Sequence, residues 1–406
     1  SYLLDHDIDS INWQELNPQR PHYLLVPRVS VGNEAYDSWD KITDIFQINS
    51  IAIQSSRDSL AFAFSRDEMV KRMNLLRNPA VSTEEIRRNL NVRDMSFWKL
   101  EHARDAIQKD SEWTNKLFEC LYRPFDKRII YYSTDVIHRP RQNVMRHLLK
   151  RQNIALLAPR QLSSQEFLHV MCTDVLSEMC VISTKTKEQN YVFPLYIYSK
   201  KGDRLPNLKT EYMDMFARLL NLKLLTGDRG DLEKTIGSYD IFAYIYGILH
   251  CTTYRKLNYD SLKYDFARIP PPPNLEFFKK IRDLGDKLIH NHLEWERSEP
   301  SETVKFPNAG SNKVEVVEVL PSQRKNSLDI VINRTQEPIQ LFTGVQSEVW
   351  NYRIGSFRVL ERWLKERKNR ILSFDELTLF LKIVASIERS IEIMDELDNV
   401  FRSQFN

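Results

Sequence analysis

The arginines of this sequence, with asparagine and glutamine close by, are the residues best suited to chemistry with another molecule. A guanidinium fork can take the O6 and N7 of guanine together, or clamp a phosphate with two bonds. Lysine supplies charge with less direction. Asparagine and glutamine amides match the N6 and N7 edge of adenine. Between Arg123 and Arg160, nine basic residues face only Asp126 and Asp135, a local excess of seven. The whole chain carries +3, so the remainder sums to −4. A basic face on a nearly neutral chain points to a specific anionic partner better than a high overall pI does. Arg139-Pro-Arg141-Gln142-Asn143 and Arg160-Gln161 lie in loops beside prolines, which present side chains outward. Ser183-Thr-Lys185-Thr-Lys187-Glu-Gln189-Asn190 adds a second polar, basic loop. Arg146, Lys150 and Arg151 fit a solvated helix face equally well. Arg123 and Arg128 flank Asp126 in a turn, where an internal ion pair is the plainer reading.

Other chemistries lack their residues. Only ten glycines occur in 406 residues. No Gly-x-x-x-x-Gly-Lys, Gly-x-Gly-x-x-Gly or Gly-x-Ser-x-Gly motif is present, and no Asn/Asp-Pro-Pro-aromatic loop to hold a target amine. His290 and His292 are two apart, so a helix turns them to different sides, and a solvated face is the expectation. His138, His147 and His169 have no fixed spacing to a cysteine or carboxylate. The four cysteines make no Cys-x-x-Cys pair, and their scatter suits a reducing cytoplasm. Asp126-Lys127-Arg128 and Asp231-Leu-Glu-Lys234 are the nearest fragments to a nuclease centre, without its usual strand context. No apolar run is long enough to span a membrane. The first phrase, Ser1-Tyr-Leu-Leu-Asp-His-Asp, reads like a cut from a longer polypeptide.

The elements that must position these side chains predict an α+β fold: a β-rich core flanked by helical segments, ending in a long helix. Four segments are expected. Residues 1–115 mix short strands, at 22–29 and 60–64, with helices. Ser82-Thr-Glu-Glu85 is a capping box, in which a serine oxygen and a glutamate carboxylate satisfy free amides at a helix start. Residues 116–210 are β-rich. Two apolar, aromatic runs at 117–122 and 127–132 flank Arg123-Pro-Phe-Asp126 and predict a hairpin. A helix follows at 144–150, then strands at 153–157, 167–171 and 191–198. Residues 211–300 are helical, broken at Ile269-Pro-Pro-Pro-Pro273 because proline lacks an amide donor. Residues 301–406 hold three strand-like pieces between 304 and 342. A second capping box, Ser373-Phe-Asp-Glu376, then opens a helix to about residue 401.

Several phrases together resemble a known family. They are Arg123-Pro-Phe-Asp-Lys-Arg-Ile-Ile-Tyr-Tyr132, Arg139-Pro-Arg-Gln-Asn-Val-Met-Arg-His147 and Phe193-Pro-Leu-Tyr196. Upstream stands Ser55-Ser-Arg57-Asp58, like the family's Thr-x-Arg-Asp piece. Downstream stand Ala243-Tyr-Ile-Tyr-Gly-Ile-Leu-His250, Tyr254-Arg255, Asp265-Phe-Ala-Arg-Ile-Pro270, Val349-Trp-Asn-Tyr-Arg-Ile-Gly355 and Trp363-Leu-Lys365. The pattern is similar to the C-terminal target-recognition (specificity) region of type ISP restriction–modification enzymes, and it covers nearly the whole chain. Ala267 and Ser356-Phe357 depart from it where proline and Gly-Tyr are common.

The resemblance implies sequence-specific recognition of double-stranded DNA, with catalysis left to upstream parts. Those parts are a nuclease, an ATP-driven translocase and an adenine methyltransferase in the same polypeptide. Their S-adenosylmethionine, ATP and magnesium would bind outside this fragment, and no metal or cofactor site is expected within it. The Arg-Pro-Phe-Asp phrase would then be a signature of the fold. Base readers would be residues that such a signature leaves open. The expected DNA contacts are Arg57, Arg128, Arg139, Arg141, Gln142, Asn143, Arg160, Gln161, Lys185, Lys187, Gln189 and Asn190. A self-contained nuclease, and a helical scaffold docking other domains through its closing helix, stand as alternatives.

Overall fold

Local sequence signals become elements where they carry their own turn or cap. In the computed structural model, which describes residues 6–11, 13, 15, 16, 34–225, 227–335 and 337–405, the hairpin stands as expected. Strand Leu117–Arg123 pairs antiparallel with strand Asp126–Tyr131. Phe125 turns the corner at φ 54°, a left-handed conformation that a bulky residue rarely takes. Its ring is fully buried against His292 and Trp295, which holds it there. Ser82 accepts the Glu85 amide at 3.2 Å. At the second capping box Ser373 and Glu376 exchange bonds of 3.2 and 3.1 Å, opening helix Phe374–Phe405. The strand expected at 22–29 lies outside the described residues.

The chain divides into two compact units, Ser1–Trp39 and Asp40–Asn406. Among its described residues the first holds a Ser10–Asp7 turn and the short helix Glu34–Ser38. The second is α+β and carries everything that follows. Its first sheet runs, in spatial order, Ser50–Ile51, Asn190–Pro194, Ala155–Pro159, Met171–Thr173, all antiparallel. Its second runs Phe62–Ala63, Asp126–Tyr131, Leu117–Arg123, Leu176–Ser177, with the last pair parallel. A third antiparallel sheet joins Glu318–Pro321, Ser327–Asn333 and Gln340–Gln346. Every residue of Ala155–Pro159 is buried, so this strand is covered on both faces.

Helices Ser238–His250, Leu275–Leu293 and Phe374–Phe405 pack together behind these sheets. Gly285 lets the first two approach closely. A Cβ there would lie 2.0 Å from the Ala243 carbonyl oxygen. His292, expected on a solvated face, is instead buried, bonded to the Tyr246 hydroxyl at 2.6 Å and Ser390 at 3.0 Å. His290 is exposed beside Asp286. The segments read from the sequence interleave. Strands from residues 50–63 complete both sheets of the 116–210 region, and Asp40–Lys41 pairs with Arg268–Ile269.

Candidate nucleic-acid interface

Part of the basic run is spent inside the protein. Arg123 bonds Glu178 at 2.8 Å and lies 3.7 Å from Glu366. Arg128 holds Asp126 and Glu366, each at 2.8 Å. Arg367 takes the other Asp126 oxygen at 2.9 Å and Glu376 at 3.3 Å. Burial alone would raise the Asp126 carboxyl, but Arg367 and Arg128 outweigh it and hold it below its ordinary value. The cluster ties the hairpin to helix Val359–Glu366 and to the start of the closing helix. Removing one member would leave a buried charge unpaired, at a cost of roughly 3–5 kcal/mol. Arg128 therefore leaves the set of expected DNA contacts.

Arg57 leaves it for the same reason. It is 6% exposed, donates to the Ser55 and Val136 carbonyls at 2.9 and 2.7 Å, and lies over the Trp98 ring. Asp58 takes bonds from Ser55 and from the Tyr122 hydroxyl. Asn190 is fully buried. Its oxygen accepts the Val181 amide, and its nitrogen donates to Ser177 Oγ and the Glu178 carbonyl. The nuclease-like fragments are committed too. Asp126 serves the ion cluster, and Asp231 accepts the amides of Glu233, Lys234 and Thr235. Among the described residues no group of three or more His, Cys, Asp or Glu side chains could hold a metal ion.

The remaining contacts gather at one end of the first sheet. The last rung there pairs Pro159 with Asn190, so Arg160 and Gln189 leave it side by side. The Ala52 amide bonds the Asn190 carbonyl, and two residues on, Gln54 bridges Arg139. Loops 138–143, 160–166 and 183–189 thus issue from the same end. Arg139, Gln142, Asn143, Arg160, Lys185 and Lys187 are exposed, while Arg141, Gln161 and Gln189 are half-buried. Lys185 Nζ donates to Ser164 Oγ at 2.8 Å, and Arg160 lies 3.7 Å from Asp265.

A residue absent from the sequence reading locks two of these loops together. Glu188 is fully buried. One of its oxygens accepts the amides and hydroxyls of both Ser163 and Ser164, at 2.7–2.8 Å. The other bonds Ser183 Oγ at 2.7 Å and His169 Nε2 at 3.0 Å. Burial pushes its carboxyl up, but the bonds from His169, Ser183, Ser163 and Ser164 outweigh this and hold it well below the usual carboxylate range. Gly355 closes the back of the same region at φ 58°, where a Cβ would meet the Ile182 carbonyl oxygen at 1.8 Å. Only charge and position in a polar loop marked Glu188 in the sequence, and those features fit a solvated residue as well.

The basic run does not form one patch. Arg151 lies over the Tyr198 ring and Lys150 over Phe118. Tyr196–Tyr198 pairs with Arg204–Pro206 beyond the opposite end of strand Asn190–Pro194. Arg151, Lys127 and Arg204 there line a cleft of about 740 Å³, mixed with Glu119, Asp174 and Glu296. That end is balanced in charge, whereas the loop end is basic.

Residues 44–396 match the family described as the Type ISP C-terminal specificity domain. No match was found among curated proteins. Among solved structures, the chain resembles a nuclease-deletion mutant of the Type ISP restriction–modification enzyme LlaGI in complex with a DNA substrate mimic. The TM-score is 0.67 at 17% identity, over 96% of this chain and 31% of that one. The DrdV–DNA complex gives 0.69 at 18% identity, over 98% of this chain and 41% of that one. The ATP-dependent Type ISP restriction–modification enzyme LlaBIII bound to DNA gives 0.69 at 17% identity, over 95% and 25%. The chain thus spans well under half the length of each of these proteins. Signature phrases, fold and profile match agree, and the chain belongs to the family of Type ISP C-terminal specificity domains.

Proposed function

We propose that this chain recognises duplex DNA through loops 138–143, 160–166 and 183–189. The observation that carries the proposal is their common exit from one end of the first sheet, with Arg, Lys, Gln and Asn side chains exposed and two loops pinned by Glu188. Arg139, Arg141, Arg160 and Lys187 neutralise phosphates and set the register. Gln142, Asn143, Lys185 and Gln189 meet base edges in the major groove. The fold similarity to proteins whose structures were solved with DNA supports this reading. In the same proposal the chain directs a methyltransferase, a translocase and a nuclease elsewhere in its polypeptide. S-adenosylmethionine, ATP and magnesium serve those parts.

The test is a duplex titration over a range of salt concentrations. Each phosphate contact contributes about 0.9 to the slope of log affinity against log salt. Replacing Arg139 and Arg141 together by alanine should lower affinity for every sequence and reduce the slope by about 2. Replacing a base reader such as Gln189 should cost about 1–3 kcal/mol against one position of the preferred site only. Unchanged affinity and slope in the Arg139/Arg141 variant would overturn the proposal.

A further inference from the structure

Beside the basic loops stands an aromatic group that none of the recognition chemistry uses. The Phe97 ring is 55% exposed. Its neighbour Met95 is 39% exposed. The turn that carries them is fixed on every side. Met95 and Trp98 exchange backbone bonds of 2.9 and 3.1 Å. Trp98 Nε1 donates to the Asp135 carbonyl at 2.7 Å, and Arg57 lies over the indole. Asp94 anchors the turn's start through Arg87 at 2.8 Å and the Leu100 amide at 3.0 Å.

This turn sits against the basic loop. The Phe97 ring stacks on His138, with centroids 4.4 Å apart and planes 23° from parallel. His138 also contacts Ser56, and the next residue is Arg139. The ring borders an open cleft of about 470 Å³, walled also by Trp98, Lys99, His102, Thr134 and Asp135. His138 therefore backs one face of the ring, and part of the remainder is open to solvent. Stacked on His138 and next to the proposed phosphate contacts of loop 138–143, the ring stands where bound DNA would cover it. Apolar side chains in such positions open base steps, and aromatic faces stack on unpaired bases whatever their identity.

We infer that Phe97, backed by His138, is a stacking platform for a nucleobase freed from the duplex that the Arg139 loop engages. The inference rests on the proposed function and adds a second mode of contact. Cations set the register, and the ring takes a base at a disrupted step. A base already unpaired carries no unstacking cost, so the ring should favour a duplex that contains one.

The test compares a fully paired duplex with the same duplex carrying a central one-base bulge. The wild-type chain should bind the bulged duplex about tenfold more tightly, as expected for one base–aromatic stack. Phe97→Ala should bring the two affinities close together without changing the salt slope, because no cation is lost. Phe97→Trp should keep the preference. The Arg139/Arg141 double alanine variant should weaken both duplexes alike and retain it. Equal binding of both duplexes by the wild-type chain, or a preference that survives Phe97→Ala, would overturn this inference alone if the arginine variant still weakens binding. Failure of the wild-type chain to bind either duplex would remove the proposed function and this inference with it.

Discussion

Arg141 holds its side chain on a backbone that arginine rarely adopts. It sits at φ 56° and ψ 42°, at the head of the short helix Gln142–Met145. A left-handed conformation costs a residue with a Cβ roughly 1–2 kcal/mol. Its Nε is shut from solvent with no hydrogen-bond partner among the described residues. Folding alone would favour glycine here, which fits the proposed use of the Arg141 guanidinium on DNA. Arg141→Gly should leave the stability to urea unchanged or raise it by up to about 1 kcal/mol. The same variant should weaken duplex binding in titration. A loss of stability with full retention of binding would show that Arg141 only props the loop. The left-handed backbone could not be read from the sequence, since Pro140 restrains only its own φ and the residue before it. The outward presentation of Arg139, Gln142 and Asn143 was legible, because a proline-bounded polar loop has few other arrangements. Asn190 and Arg128 were not: a polar side chain looks the same in sequence whether it meets base edges or completes a core. Their partners, such as Ser177 and Glu366, come from distant elements.

Loops 160–166 and 183–189 are held together through the buried Glu188 carboxylate. Six hydrogen bonds converge on the Glu188 carboxylate, from Ser163, Ser164, Ser183 and His169. Bonds to a charged acceptor are worth about 1.5–3 kcal/mol and neutral ones about 0.5–1.5. Glu188→Gln should therefore destabilise the fold by about 1–3 kcal/mol. It should also speed hydrogen exchange at the Ser163 and Ser164 amides first. Unaltered exchange at those amides would show that other contacts set the loops. The pH dependence has a definite sign. With a folded pKa held below the ordinary 4.5, the Glu188 contribution is complete above that value. It is lost as pH falls below 4.5 toward the folded pKa, and this part of acid unfolding should vanish in Glu188→Gln. Elements with local signals were legible. The hairpin, the Ser82 cap, the Ser373/Glu376 capping box and helix Leu275–Leu293 follow from turn residues, cap residues and spacing. Strand Phe62–Ala63 lies within the strand-like run at 60–64, whereas Ser50–Ile51 carried no such signal, and the pairing of neither was legible. Their pairing partners lie far along the chain and leave no periodicity in so short a segment.

At the scale of the whole molecule, a nearly neutral chain concentrates exposed basic side chains at one end of a sheet. Nine basic residues between Arg123 and Arg160 looked like a single patch in sequence. Three-dimensional structure sorts them into an internal ion cluster, a basic loop end and a charge-balanced opposite end. The four segments read from composition merge in the same way, because strands near residues 50 and 62 complete sheets built mainly from residues 117–194. The α+β class and the family were legible, since signature phrases span the chain. The sorting of charges was not, since it depends on which strand face each side chain occupies. In the proposed mode DNA lies on loops 138–143, 160–166 and 183–189. Hydrogen exchange measured with and without a duplex enriched by the chain from a random pool tests it most directly. Amides in those three loops should become protected on adding DNA, while residues 150–152 and 196–206 at the opposite end exchange as before. Protection of 150–152 and 196–206 with none in the three loops would place the DNA at the opposite end and overturn the proposed mode.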